Sequence, residues 1–148
     1  MLKKILLATD GSADSRKALA FAVDMASRYD SELYVVHVIS SMKIPVEILD
    51  YLSAEDIDES PASFYLEKVG QMIIKQSESE CQITGCKNVH TIVLRGDPAD
   101  MIVKCAKEKQ MDIIVIGSRG YHGIKGKLLG SVSRKVSHVS ECSCIIVK

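Results

Sequence analysis

Asp112-Ile113-Ile114-Val115-Ile116-Gly117-Ser118-Arg119-Gly120 is the stretch that decides the fold: four β-branched residues in a row run straight into a glycine-flanked polar turn. A strand with one solvated face alternates apolar with polar residues. This run does not alternate, so it predicts a short strand covered on both sides. The same reading applies to Ile5-Leu6-Leu7-Ala8, Leu33-Tyr34-Val35-Val36, Ile92-Val93-Leu94 and Ile145-Ile146-Val147. Strands of this kind belong to a parallel sheet sandwiched between helices.

Helical spacing fills the gaps. Ala18, Leu19, Ala22, Val23 and Ala26 form one stripe; Leu66, Val69 and Ile73 a second; Met101, Ile102, Cys105 and Ala106 a third; Val132, Val136 and Val139 a fourth. Met72 and Met101 are read as core filler on these stripes. Ser12 is placed to cap the first helix, Ser60-Pro61 to open the second, and Asp97-Pro98 to open the third with proline in its first turn. Alternation of strand and helix from end to end predicts one α/β domain over residues 1–148. Its sheet is open, doubly wound, parallel and five-stranded in the order 3-2-1-4-5, with helices on both faces in a Rossmann-like layout.

Composition narrows the function. The 148 residues carry 19 Lys plus Arg and 19 Asp plus Glu, a formal net charge of zero, which removes the electrostatic case for a broad nucleic-acid or membrane surface. At 47% apolar and 26% charged, the chain has the material for a packed core. Only four apolar residues follow Lys3-Lys4 before polar ones resume, too few for a secretory leader. No stretch approaches the roughly 20 apolar residues of a membrane span. Cysteines at 81, 86, 105, 142 and 144 form an odd set, which argues against a disulfide scaffold and for a reducing cytoplasm. Neutrality is also an average: residues 117–140 hold five bases and no acid, whereas residues 44–66 hold six acids and no base. The acidic insertion, from about Ser40 to Glu59, is read as a solvated connection, with a lid or partner contact as the alternative.

In an open α/β sheet, ligands bind beyond the carboxyl ends of the strands where strand order reverses, here between strands 1 and 4. Ala8-Thr9-Asp10-Gly11-Ser12 and Gly117-Ser118-Arg119-Gly120 meet at that point. Gly117, Gly120, Gly123, Gly126 and Gly130 then lead into Ser131, at the start of the fourth helix. Glycines let backbone N–H groups turn toward an anion, and a helix N-terminus favours phosphate. The Ser131 and Ser133 hydroxyls can add hydrogen bonds. Neither G-x-x-x-x-G-K-[ST] nor G-x-G-x-x-G occurs, and Asp10-Gly11-Ser12 is too short and acidic for a phosphate cradle, so phosphate is assigned to the late loop. The alternative for that loop is a glycine-rich surface turn.

Gly117-x2-Gly120-x9-Gly130-Ser131 resembles the G-x2-G-x9-G-[ST] motif of the ATP-binding branch of the universal stress protein family. The opening Ile5 to Ser12, Val36-His37-Val38, Gly96-Asp97-Pro98 and Asp112 to Ser118 are similar to that family's pattern as well. The resemblance implies ATP, with Mg²⁺ or Mn²⁺ bound through the phosphates. It implies that the Val38 backbone meets the adenine edge, that Ala8 and Thr9 line the base pocket, and that Asp10 contacts base, ribose or metal. Gly117, Ser118, Arg119 and Gly120 would hold ribose and α-phosphate, and Gly130, Ser131, Val132 and Ser133 the β- and γ-phosphates; Arg119 and His122 are further positions within reach of phosphate. It also implies a homodimer joined through strand 5. Cys142-Ser143-Cys144 departs from the family, where a proline is usual.

Other residues are assigned plainer roles. His37 is read as a structural histidine, and Cys81-x4-Cys86 with His90 as core and loop residues in preference to a metal or redox pair. Asp10 is the one carboxylate expected near the ligand, which favours a nucleotide-dependent stress or regulatory protein with slow or no hydrolysis. The alternatives are an ATPase or adenylating enzyme on the same fold, whose S-G-G-x-D-S signature Asp10 to Ser15 only partly echoes, and a dimeric interaction module that binds no nucleotide.

Overall fold

A computed structural model describes residues 1–40, 61–121 and 128–148. The acidic insertion apart from Ser40, and with it any lid, lies outside the described residues, as do His122, Gly123, Lys125, Gly126 and Lys127 of the glycine loop. The elements run β1 (Lys4–Ala8), α1 (Ala13–Tyr29), β2 (Glu32–Ile39), α2 (Pro61–Ile83), β3 (Val89–Arg95), α3 (Pro98–Glu108), β4 (Ile113–Gly117), α4 (Ser131–Val139) and β5 (Ser143–Val147). All strands pair in parallel, in the order β3-β2-β1-β4-β5. The predicted fold class and strand order are those observed.

Alternate residues of each strand feed two cores. Ile5, Leu7, Leu33, Val35, Ile113 and Val115 face α1 and α2, and Leu6, Ala8, Val36, Ile114 and Ile116 face α3 and α4. Unbroken apolar runs are therefore needed in β1 and β4, where Leu6, Leu7, Ile114 and Val115 are all 0% exposed. The run Ile92-Val93-Leu94 predicts the same cover for β3, but those residues are only half-buried, with His90, Thr91 and Arg95 exposed. β5 is half-buried from Cys144 to Val147. Both are edge strands, each with a neighbouring strand on one side only.

The helices start as their sequences dictate. Ser12 Oγ accepts the Ser15 N–H at the head of α1, and Asp97 accepts the Asp100 N–H at the head of α3, with Pro98 in the first turn. In α2 the buried face is Gly70, Ile74, Ser77 and Cys81, whereas the predicted stripe of Leu66, Val69 and Ile73 is half-buried and turned toward a cavity. Met72 is 71% exposed and Val139 52% exposed, so neither fills the core as expected. Period alone gave each helix a stripe without saying how far round the sheet reaches.

Register brings the site together. Ala8 pairs with Val36 on one side and Ile116 on the other, so β1 and β4 end level while β2 continues to Ile39. At the end of β4 the backbone meets the head of α1 with no room between them. A Cβ on Gly117 would stand 2.7 Å from the Asp14 carbonyl carbon and 2.8 Å from Ser15 N. Gly117→Ala must therefore push α1 away from β4, and overpacking of this kind costs about 1–3 kcal/mol. The urea midpoint is expected to fall at unchanged m-value; an unaltered midpoint would show that the contact constrains nothing.

Candidate functional site

Beyond the carboxyl ends of β1, β2 and β4 lies a cavity of about 390 Å³. Three sides are built from the segments that the sequence singled out. Ala8, Thr9 and Asp10 come from β1 and its turn, Val38 from β2, Gly117, Arg119 and Gly120 from the end of β4, and Gly130, Ser131, Val132 and Ser133 from the head of α4. Of the thirteen residues that the resemblance assigns to the ligand, His122 lies outside the described residues, and of the other twelve Ser118 alone does not line the cavity.

The β1 turn is held by its own side chains. Asp10 Oδ1 accepts the Ser12 N–H at 2.9 Å, Thr9 Oγ1 accepts the Gly11 N–H at 3.3 Å, and Gly11 takes φ +81°. Asp10 Oδ2 points at Gly120 so closely that a Cβ there would collide with it. One carboxylate oxygen thus shapes the turn while the other meets the glycine loop. His37 is buried, and its Nδ1 lies 2.8 Å from the Thr9 carbonyl oxygen. A carbonyl can only accept, so Nδ1 carries the proton and the ring braces the turn, the structural role expected of it.

Ser118 stands behind the cavity wall and joins four elements. Its N–H donates to the Val147 carbonyl at 2.7 Å, its carbonyl accepts the Gly130 N–H at 2.8 Å and the Ser133 hydroxyl at 2.9 Å, and its own hydroxyl donates to Asp14 Oδ2 at 2.7 Å. Its side chain is thereby turned to α1, away from the cavity. Gly130 caps α4 with no side-chain hydrogen bond, so the first-turn N–H groups of that helix open onto the cavity.

Several further side chains take part. Leu66, Val69 and Ile73 of α2 make an apolar wall, and Tyr121 reaches across the mouth to donate its hydroxyl to the Gly11 carbonyl at 2.9 Å. Asp14 lies 3.4 Å from Arg119 Nε, and Lys135 pairs with Asp97 at 3.2 Å and Asp100 at 2.7 Å. The acid-free loop read from residues 117–140 is therefore partly neutralised by acids from α1 and from the head of α3. A periodic apolar face does mark α2 in the sequence; an ion pair between distant segments leaves no such trace.

Elsewhere the described residues assemble no group of three His, Cys, Asp or Glu side chains able to hold a metal ion. All five cysteines are free thiols, and burial pushes the Cys81 thiol up to about 12, which leaves it a poor nucleophile. No described helix is long and apolar enough to cross a membrane.

Comparison with known proteins places this geometry. The universal stress protein family matches over residues 1–148. Universal stress protein YxiE of Bacillus subtilis is 38% identical over 151 residues, covering 100% of both chains. Among solved structures, hypothetical protein MJ0577 is 30% identical with a TM-score of 0.82, over 100% of this chain and 96% of that one. A universal stress protein solved in complex with cAMP is 24% identical with a TM-score of 0.71, over 99% of this chain and 97% of the other.

Four carboxyls are held below the usual carboxylate range: Asp14 by the Ser118 hydroxyl and then Arg119, Glu32 by the Tyr34 hydroxyl and then His90, Asp97 by the Asp100 N–H and then Lys135, and Asp112 by the N–H groups of Lys4 and Lys3. Each binds its proton more weakly folded than unfolded. The stability it adds is thus complete above the unfolded value and is lost as pH falls through the folded one. The urea midpoint is expected to drop between neutrality and about pH 3, and Asp112→Asn, less stable at neutrality, should drop less steeply. Parallel pH profiles for the two proteins would remove Asp112 from this account.

Proposed function

This chain belongs to the universal stress protein family, and we propose that it is an ATP-binding member: a cytoplasmic, homodimeric stress or regulatory protein with slow or no ATP hydrolysis. The observation that carries the reading is the cavity at the β1/β4 switch point. It combines an apolar compartment with a glycine loop and an open helix N-terminus, the pairing that a nucleotide needs. The cAMP complex of a structural relative supports an adenine nucleotide as the ligand class.

In this reading the base lies against Ala8, Thr9 and the Val38 backbone, with Leu66, Val69 and Ile73 closing the apolar side. Asp10 Oδ2 accepts from the nucleoside. Gly117 and Gly120 line the ribose and α-phosphate end, with Arg119 beside them. The N–H groups from Ser131 to Ser133, beside Gly130, take the distal phosphates, where backbone donors and the positive helix end favour negative charge. A magnesium or manganese ion would ride on the phosphates and neutralise their charge; the Ser131 hydroxyl at the head of α4 offers a hard oxygen donor of the kind such ions prefer.

Slow turnover follows from the lining. Asp10 is the sole carboxylate on the cavity wall among the described residues, and its Oδ1 already accepts the Ser12 N–H. It belongs to the nucleoside end, away from the place where a hydrolytic water needs orienting. The half-buried β5 edge supports pairing of two copies there.

Gly120→Val drives a side chain into Asp10, and Gly130→Val crowds the Ser118 carbonyl, 3.3 Å from a Cβ at that position. Both variants are expected to lose ATP binding by calorimetry while keeping the circular dichroism spectrum of the parent. ATP binding at parental affinity by either would sink the assignment of the loop. Mass analysis of nucleotide released on denaturing fresh protein is expected to find an adenine nucleotide.

A further inference from the structure

Asp14 is the second residue of α1, and it is absent from the cavity lining, yet it is tied to the loop that forms the wall. Its Oδ2 accepts the Ser118 hydroxyl at 2.7 Å and lies 3.4 Å from Arg119 Nε; its Oδ1 lies 3.7 Å from Lys17 Nζ. Its side chain is 13% exposed, against 36% for Arg119. The carboxylate is thus fixed behind the wall by a short hydrogen bond, while the guanidinium sits in the wall. A charge-assisted N–H···O bond is about 2.7–2.9 Å long. At 3.4 Å the Arg119 pair is longer than that.

Resting on the nucleotide reading above, we propose that Asp14 is a built-in counter-anion for Arg119, a resident competitor that sets how strongly the site takes ligand phosphate. The pair presents no net charge to the cavity. When a phosphate approaches Gly117 to Gly120, Arg119 turns from one anion to the other, and Asp14 keeps the Ser118 hydroxyl and Lys17 as partners. Affinity for the anionic part of a ligand is held down by the competition, and affinity for its nucleoside part is not. The device keeps phosphate binding reversible in a site whose apolar wall and helix N-terminus both favour retention.

Asp14→Asn tests this, because asparagine preserves size and an acceptor for Ser118. Calorimetry with adenosine, AMP and ATP is expected to show adenosine unchanged, AMP tighter and ATP tighter still, by on the order of tenfold at low salt. The gain should shrink as salt rises. It should also shrink in an Arg119→Gln background, since the competition needs the guanidinium. Equal or weaker ATP binding by Asp14→Asn, or a gain undiminished by Arg119→Gln, overturns the proposal. Inorganic tripolyphosphate, which needs no base pocket, separates the two readings. If the parent takes neither adenosine nor ATP but the Asp14→Asn variant takes tripolyphosphate more tightly, the nucleotide reading fails and the counter-anion stands; if Asp14→Asn brings no gain with either ligand, the counter-anion fails.

Discussion

Everything around the cavity depends on one steric contact: the end of β4 lies backbone against backbone on the head of α1, at a distance that only Gly117 permits. Because the chain is pinned there, the next residue is placed among four elements at once. Ser118 then bonds to β5, to both Gly130 and Ser133 at the head of α4, and to Asp14 of α1. A polar residue buried this way must satisfy every donor and acceptor, and among the described residues no buried side-chain nitrogen or oxygen lacks a partner. The loop is consequently held from behind by hydrogen bonds while its front, from Arg119 to Gly120 and the α4 N-terminus, remains turned to the cavity.

The helices and the sheet share this task unequally. The face of the sheet toward α3 and α4 is closed by Ala99, Ile102, Cys105, Ala106 and Val136. On the other face α2 packs by a narrow ridge, with Gly70 brought up to His37 and Ile39; a Cβ there would stand 3.1 Å from both side chains. That close approach leaves Leu66, Val69 and Ile73 free of the sheet and available as cavity wall. A broader helix ridge would have sealed the space in which a ligand can lie.

Most of the fold was legible because it rests on local pattern. Unbroken aliphatic runs reveal cover on both faces, caps reveal helix starts, and strand–helix alternation restricts topology to a few choices. The spaced glycines were legible too, since their freedom is written in their residue type. What escaped was whatever depends on the partner across the gap. Ile92 to Leu94 reads like Ile113 to Ile116, and only the edge position makes one half-exposed. Arg119 and Lys135 read as bases of an acid-free segment, and only the fold delivers Asp14, Asp97 and Asp100 to them. Tyr121 carries no motif, and its reach to Gly11 depends on the separation of two loops more than a hundred residues apart.

The two edges of the sheet are chemically unlike. β3 carries His90 and Arg95 outward, with His90 stacked on Tyr34 and joined to Glu32, and Arg95 joined to Glu67. β5 carries Ser143-Cys144-Ile145-Ile146-Val147, with no charge along its length. Charged side chains on an edge discourage another strand from adding there. A sheet with one guarded and one open edge can be extended from a single side. Were two copies to join at β5, β3 would lie at both outer ends, and its charged side chains would oppose the addition of a further strand.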